Sequence, residues 1–320
     1  MAQSEFLVDL HRRFATPRVA VTDLVRRTTG AEAMELDRIA RGYDNEVYRV
    51  TLDSGTCVYV RIRSRGDDFT EELWAMSQAR DHGVPVPEIV GVDRISDDHG
   101  DRAAMVITPA PGRQFAESAD KLTTEERGSA LADLGRVVAR LHEVSTPGPW
   151  RPDDHGQWPD PAELRKGFIR DRRAEHDRLA AAGMSAAEIE VTFAMLEISP
   201  EPAAAGFVLC HGDLSPEHVF IDDGRATCLI DWGMWHGGSR LGELTYLSNT
   251  FARDDFAVIL EGYGRPLDDE LRRQLATVTM SQRIGHVAHH VSIGDRAATE
   301  RNVGLMRRAL AELRELGPAS

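Results

Sequence analysis

The stretch FVLCHGDLSPEHVFIDDGRATCLIDWG, residues 207–233, decides how this chain is read. An apolar run, Phe207 to Cys210, delivers His211, Gly212 and Asp213 into a polar loop. Val219, Phe220 and Ile221 begin a second apolar run, and a turn at Gly224 leads to a third that ends at Asp231. Short apolar runs bounded by turn residues read as buried strands. Asp213 and Asp231 therefore stand at the ends of adjacent buried strands. Two acids beside apolar runs are costly unless a cation neutralises them. Phosphoryl transfer uses such a pair, one carboxylate to orient the attacking hydroxyl and take its proton, the other to hold a metal ion on the phosphates.

Upstream the texture differs. Residues 4–15 and roughly 21–35 read as short N-terminal helices. Glu46–Leu52 and Thr56–Ile62 alternate like strands around Asp53-Ser54-Gly55, a hairpin signal. Thr70–His82 has helical spacing and stops at Gly83, Pro85 and Pro87; Ile89–Val92 and Ala103–Ile107 read as further strands. The TPAPG punctuation at 108–112 separates this part from one in which helices dominate, over Thr124–Glu143, Pro161–Ala182, Ala186–Leu196 and two or three after Asp268. The expected division is 1–35 for the N-terminal helices, 36–107 for a small sheet-based lobe, 108–112 for a hinge and 113–320 for a helical lobe. The fold class is α+β.

Composition removes several alternatives. Acids outnumber bases 52 to 38 over 320 residues, a formal charge of −14, which argues against bulk nucleic-acid binding. Lys121 and Lys166 are the only lysines. Neither follows the glycine pattern of a Walker-type nucleotide loop, so that loop is excluded. Any phosphate grip in the first 120 residues falls to arginine. Cys57, Cys210 and Cys228 lack ligand spacing and fit a reducing cytoplasm, with Cys210 and Cys228 as small buried strand residues. No apolar run has the length of a membrane span.

On these residues the chain resembles the aminoglycoside and macrolide phosphotransferases, small-molecule kinases of protein-kinase-like, two-lobed fold. His211-Gly-Asp213-Leu-Ser-Pro-Glu-His218 matches the kinase pattern H-x-D-x-x-x-x-N in all but its last position, and Ile230-Asp231-Trp232-Gly233 stands where kinases carry D-F-G. The resemblance implies Asp213 as the base, with His218 and Asp231 as ligands of Mg²⁺. An imidazole in the asparagine position is a softer ligand that admits Mn²⁺. It places Gly42 to Tyr48, with Asn45, in the loop over the phosphates. Arg61 takes the place of the phosphate-gripping lysine, Glu72 is its ion-pair partner, and Tyr59 on the same strand face stacks on the base. Thr108, by its carbonyl, and Ala110, by its amide, read the base edge. Gly238-Ser239-Arg240 and Glu243 replace the family's Gly-Asp-Pro and downstream aspartate.

The co-substrate implied is ATP or GTP, and the acceptor a small hydroxylated molecule. Asp231 to Glu243 is too short for the peptide platform of protein kinases. An aminoglycoside- or macrolide-type antibiotic leads the list, with resistance as the effect. A metabolite such as choline, a sugar or an amino-acid alcohol stays open, as does a nucleotide-binding scaffold without turnover. Asp153, Asp154, Asp160, Asp254, Asp255 and Asp268 to Glu270 suit a cationic acceptor and equally a solvated surface. Trp150 and Trp158 read as pocket wall or loop anchor, and His286, His289 and His290 as a helix face or substrate-pocket wall. His211 reads as structural. A cytoplasmic monomer or homodimer, without nucleic-acid or membrane partners, completes the expectation.

Overall fold

Gly30 ends the first described helix. It takes the left-handed conformation (φ 73°) and donates its N–H to the Arg26 carbonyl at 2.9 Å, a stop that costs glycine nothing. The helix expected over 21–35 is thus α1, Arg18–Thr29, and residues 33–35 belong to a strand instead. The structure, a computed structural model, describes residues 15–39, 45–64, 68–98, 100–199 and 206–317. Most of the helix expected at 4–15, and Gly42-Tyr43-Asp44, lie outside the described residues.

The chain divides into two compact units, Met1–Ser77 with Val86–Pro111, and Gln78–Pro85 with Gly112–Ser320. The first holds β1 (Ala33–Ile39), β2 (Asn45–Leu52), β3 (Cys57–Arg63), β4 (Ile89–Asp97) and β5 (Gly100–Ile107) in the order β1-β2-β3-β5-β4. Every pairing is antiparallel. In β2 the sequence alternation becomes strict alternation of burial. Val50, Val58, Val60 and Ile62 point into a core that α1 closes with Val21, Leu24 and Val25. The expected strands at 89–92 and 103–107 both run longer, because their pairing continues to Asp97 and Gly100 through residues too polar to read as buried.

Helix α2, Thr70–Asp81, starts in the first unit and ends in the second. After β6 (Arg113–Gln114) and the single turn α3 (Phe115–Ser118) comes α4, Thr124–Leu141, opened by a capping box between Thr123 and Glu126. A short strand, β7 (Ser145–Thr146), precedes α5, Pro161–Arg173, and α6, His176–Ala181. The single helix expected over 161–182 breaks between them, where Glu175 N–H bonds the Arg172 carbonyl and tightens the last turn. Next come α7 (Ala186–Ile198), β8 (Phe207–Cys210), β9 (Val219–Asp222), β10 (Arg225–Leu229) and β11 (His236–Gly238). The unit ends with α8 (Arg240–Thr250), α9 (Arg253–Tyr263), α10 (Asp269–Ile293) and α11 (Arg296–Leu316). Helices α8 and α9 had no counterpart in the sequence reading. Two small sheets, β10-β9-β6 and β11-β8-β7, brace the stretch at 207–233. Among the described residues no helix is long and apolar enough to cross a membrane.

Candidate active site

Each unit holds a cluster of its own. In the first, β3 lies between β2 and β5, with Arg61 opposite Val47 and Met105, and Tyr59 opposite Arg49 and Ile107. The spacing puts Tyr59 and Arg61 on one face. Arg61 and Glu72 are both buried, and Arg61 Nη1 donates to Glu72 Oε1. Arg63 Nη2 reaches Glu72 Oε2 at 3.3 Å, and its guanidinium lies 4.6 Å from the Phe69 ring centre. The sequence-predicted pair is therefore formed. Tyr59 packs at the edge of the Phe69, Met105 and Ile107 cluster. Asn45 starts β2 opposite Arg63. Thr108 is tied to Glu88 twice, its N–H donating to the carbonyl at 2.9 Å and its hydroxyl accepting from the N–H at 3.3 Å. Ala110 follows, half-buried.

In the second unit, β8 delivers His211 into a closed setting. His211 Nε2 lies 2.9 Å from the Ile230 carbonyl, which can only accept, so Nε2 carries the proton. Nδ1 then accepts the Asp213 N–H at 3.3 Å. Both nitrogens are used, and burial, helped by the nearby His218, pushes the imidazole down to about 3. Gly212 bends the chain here with φ 80°, and a Cβ would meet the Met234 carbonyl oxygen at 2.1 Å. Only glycine fits.

Asp213 emerges half-buried. Burial pushes its carboxyl above the ordinary value, against the pull of His218 and of a hydrogen bond from the Tyr246 hydroxyl to Oδ1. His218 Nδ1 donates to the Asp213 backbone carbonyl at 2.6 Å. Its Nε2 lies 3.8 Å from Asp231 Oδ2, while Nδ1 is 3.6 Å from Asp213 Oδ2. Asp231 has φ 64°, the left-handed region that non-glycine residues seldom occupy. The turn is held by Trp232, fully buried, whose Nε1–H donates to the Leu229 carbonyl at 2.9 Å and whose ring centre is 4.7 Å from that of His211.

Asp213, His218 and Asp231 bring potential ligand atoms within 4.8 Å of one another. His142, Cys210 and Glu243 do the same in the core. There burial drives the Cys210 thiol well above its ordinary value and His142 down to about 3. Arg240, which donates to the His142 carbonyl at 3.0 Å, adds a fixed positive charge. The core trio is a packing cluster. The half-buried trio, an imidazole between two carboxylates, has the donor set of a divalent-cation site.

Other candidates resolve differently. Asp160 and Asp268 cap α5 and α10, Asp153 caps its own loop, and Asp255 pairs with Arg127 at 2.6 Å. Trp158 stands edge-on to Trp235, while Trp150 is half exposed beside His236. His286, His289 and His290 lie on α10, with His286 pushed down to about 3 by burial. All three cysteines are free, and burial pushes Cys228 up to about 12. Tyr246 went unread; its signal is the i,i+3 spacing from Glu243, which puts both on one helix face.

Residues 35–276 match the family model described as the phosphotransferase enzyme family. The chain is 29% identical over 189 residues to an aminoglycoside 3'-phosphotransferase of Streptomyces fradiae, covering 55% of this chain and 64% of that protein. It therefore spans less than two thirds of that relative. It is 26% identical over 221 residues to an aminoglycoside 3'-phosphotransferase of Streptomyces ribosidificus, covering 65% and 77%. Among solved structures, the aminoglycoside phosphotransferase APH(4)-Ia in ternary complex with ADP and hygromycin B superposes with a TM-score of 0.68 at 17% identity, over 92% of this chain and 98% of that one. At that identity the likeness is one of fold, and the fold is protein-kinase-like.

Proposed function

The chain belongs to the phosphotransferase enzyme family, and from that premise we propose that it moves the γ-phosphoryl group of ATP or GTP onto a hydroxyl of a small molecule, an antibiotic of aminoglycoside or macrolide type. The observation that carries this is the Asp213–His218–Asp231 arrangement. One carboxylate sits where a hydroxyl can reach it, and a second lies 3.8 Å from the Nε2 of an imidazole whose other nitrogen is already bonded. His218 Nε2 and Asp231 would hold Mg²⁺ or Mn²⁺, which when bound neutralises charge on the phosphates.

Asp213 orients the acceptor hydroxyl and takes its proton as the new oxygen–phosphorus bond forms. The bond from the γ-phosphorus to its bridging oxygen breaks, and the electron pair leaves with the nucleoside diphosphate. Arg61, fixed by Glu72, grips the phosphates; its planar fork suits their oxygens. His211 holds the loop and moves no proton. Inactivation of the drug follows as the biological effect.

A mass-spectrometric screen for a phosphate-sized gain tests the reading, run with ATP and with GTP across aminoglycosides, hygromycin B included, and macrolides. The expected result is a gain on at least one acceptor, reduced about 10²-fold or more by Asp213→Asn. Nucleotide binding without turnover on the panel, or a variant as fast as the parent, overturns it.

A further inference from the structure

Ser239 opens α8 by accepting the Gly242 N–H on its hydroxyl at 2.9 Å. Glu243 and Tyr246, three residues apart, then face the same way. Both reach the loop around Asp213. Glu243 accepts the Gly212 N–H at 3.2 Å, and the Tyr246 hydroxyl donates to Asp213 Oδ1. Tyr246 is itself held from two helices. The Arg283 guanidinium of α10 lies 5.4 Å from its ring centre, and Arg283 Nη1 donates to Asn302 Oδ1 of α11 at 3.2 Å. Asn302 is fixed in turn by donating Nδ2–H to the Ala298 carbonyl at 2.8 Å.

A carboxylate rotates over a broad, roughly two-fold well about its last torsion. Unrestrained, Asp213 would present either oxygen to an acceptor at many angles. The Tyr246 bond removes that freedom. We propose that Tyr246 is a positioning residue that holds Asp213 by Oδ1 and so reserves Oδ2 for the acceptor hydroxyl, an inference that rests on Asp213 acting as the base. The acceptor proton passes to Oδ2 as the oxygen–phosphorus bond forms and the diphosphate departs with the electron pair. Tyr246 donates its hydrogen bond throughout and is not consumed. Arg283 supports it as a buried cation over the ring face.

Tyr246→Phe keeps the ring and removes only the donor. Steady-state kinetics of the full chain are measured with the fastest acceptor of the antibiotic panel, or with water as acceptor where none turns over. Misplacement of a reacting group predicts a fall in kcat of about 10- to 100-fold, with both KM values and the melting temperature nearly unchanged. Arg283→Met should show the same kcat-only pattern at smaller size. Parental kcat in Tyr246→Phe, or a loss shared between KM and thermal stability, overturns the proposal. Asp213→Asn at parental rate would instead overturn the base assignment, so the two failures are distinct.

Discussion

Two polar clusters in this molecule are each built on carboxylates with a tyrosine hydroxyl donating to one of them, and they end differently. Around Arg102, in the first unit, both terminal guanidinium nitrogens are bonded inside the chain, and only its buried Nε has no partner. Arg102 Nη1 donates to Glu46 Oε1 at 2.8 Å, and Nη2 reaches Asp97 Oδ2 at 2.6 Å and Thr16 Oγ1 at 2.7 Å. Glu46 accepts further bonds from the Thr16 N–H at 3.0 Å and the Tyr48 hydroxyl at 2.6 Å. Burial pushes Glu46 up, but these donors outweigh it and leave the carboxyl below its ordinary value. Around Asp213, in the second unit, bonding stops short. His218 uses one nitrogen and presents the other, and Asp213 has one oxygen bound by Tyr246. A closed cluster holds a fold together, whereas one with lone pairs left over is built for something that arrives later.

The sharpest test of the closed side is Arg102→Met. It takes the guanidinium away from the buried carboxylates of Glu46 and Asp97, and breaking such a pair costs about 3–5 kcal/mol. Urea titration should show that loss, with kcat of the surviving folded protein unchanged. Adding Glu46→Gln should recover part of it. A loss below about 1 kcal/mol, the surface-pair range, would show that the cluster is not the closed unit its geometry describes.

On the open side, His218→Asn substitutes an oxygen donor for nitrogen. Harder ligands favour harder cations. The ratio of activity with Mg²⁺ to activity with Mn²⁺ should rise about tenfold, equivalent to about 1.4 kcal/mol, while the melting temperature without metal stays nearly constant. An unmoved ratio removes His218 from the metal set.

How much of this was legible followed from distance along the chain. Asp213, His218 and Asp231 share one stretch of 19 residues, so spacing alone gathers them. Arg61 and Glu72 are 11 apart and sit on a strand and the helix after it. The Arg102 cluster was invisible because its partner Glu46 is 56 positions away, and an arginine in GDRAAMVI reads as a surface residue. Tyr246 reaches Asp213 across 33 positions from RLGELTYLSNT, where glycine, serine and threonine blur the helical period. The helix could be recognised only once Ser239 was seen capping it. Long-range polar contacts leave no periodic trace, whereas motifs and apolar faces do.

His211 lies inside the open region yet has both nitrogens closed, so it refines the comparison. If closure rather than location decides the role, His211→Gln should act on stability and only weakly on kcat. The sign of its pH effect is fixed. Burial pushes the folded imidazole down to about 3, and the unfolded value is about 6.5. Its contribution is therefore complete above pH 6.5 and is lost as pH falls toward 3, by about 1.4 kcal/mol per pH unit for the one proton taken up on unfolding. His142 and His286, pushed down to about 3 in the same way, keep their share in the variant. Chemical denaturation at pH 7.5, 6 and 5 should give a flatter slope in His211→Gln than in the parent, by that one proton. An unchanged slope, or a kcat loss as deep as that of Asp213→Asn, would place His211 with the chemistry.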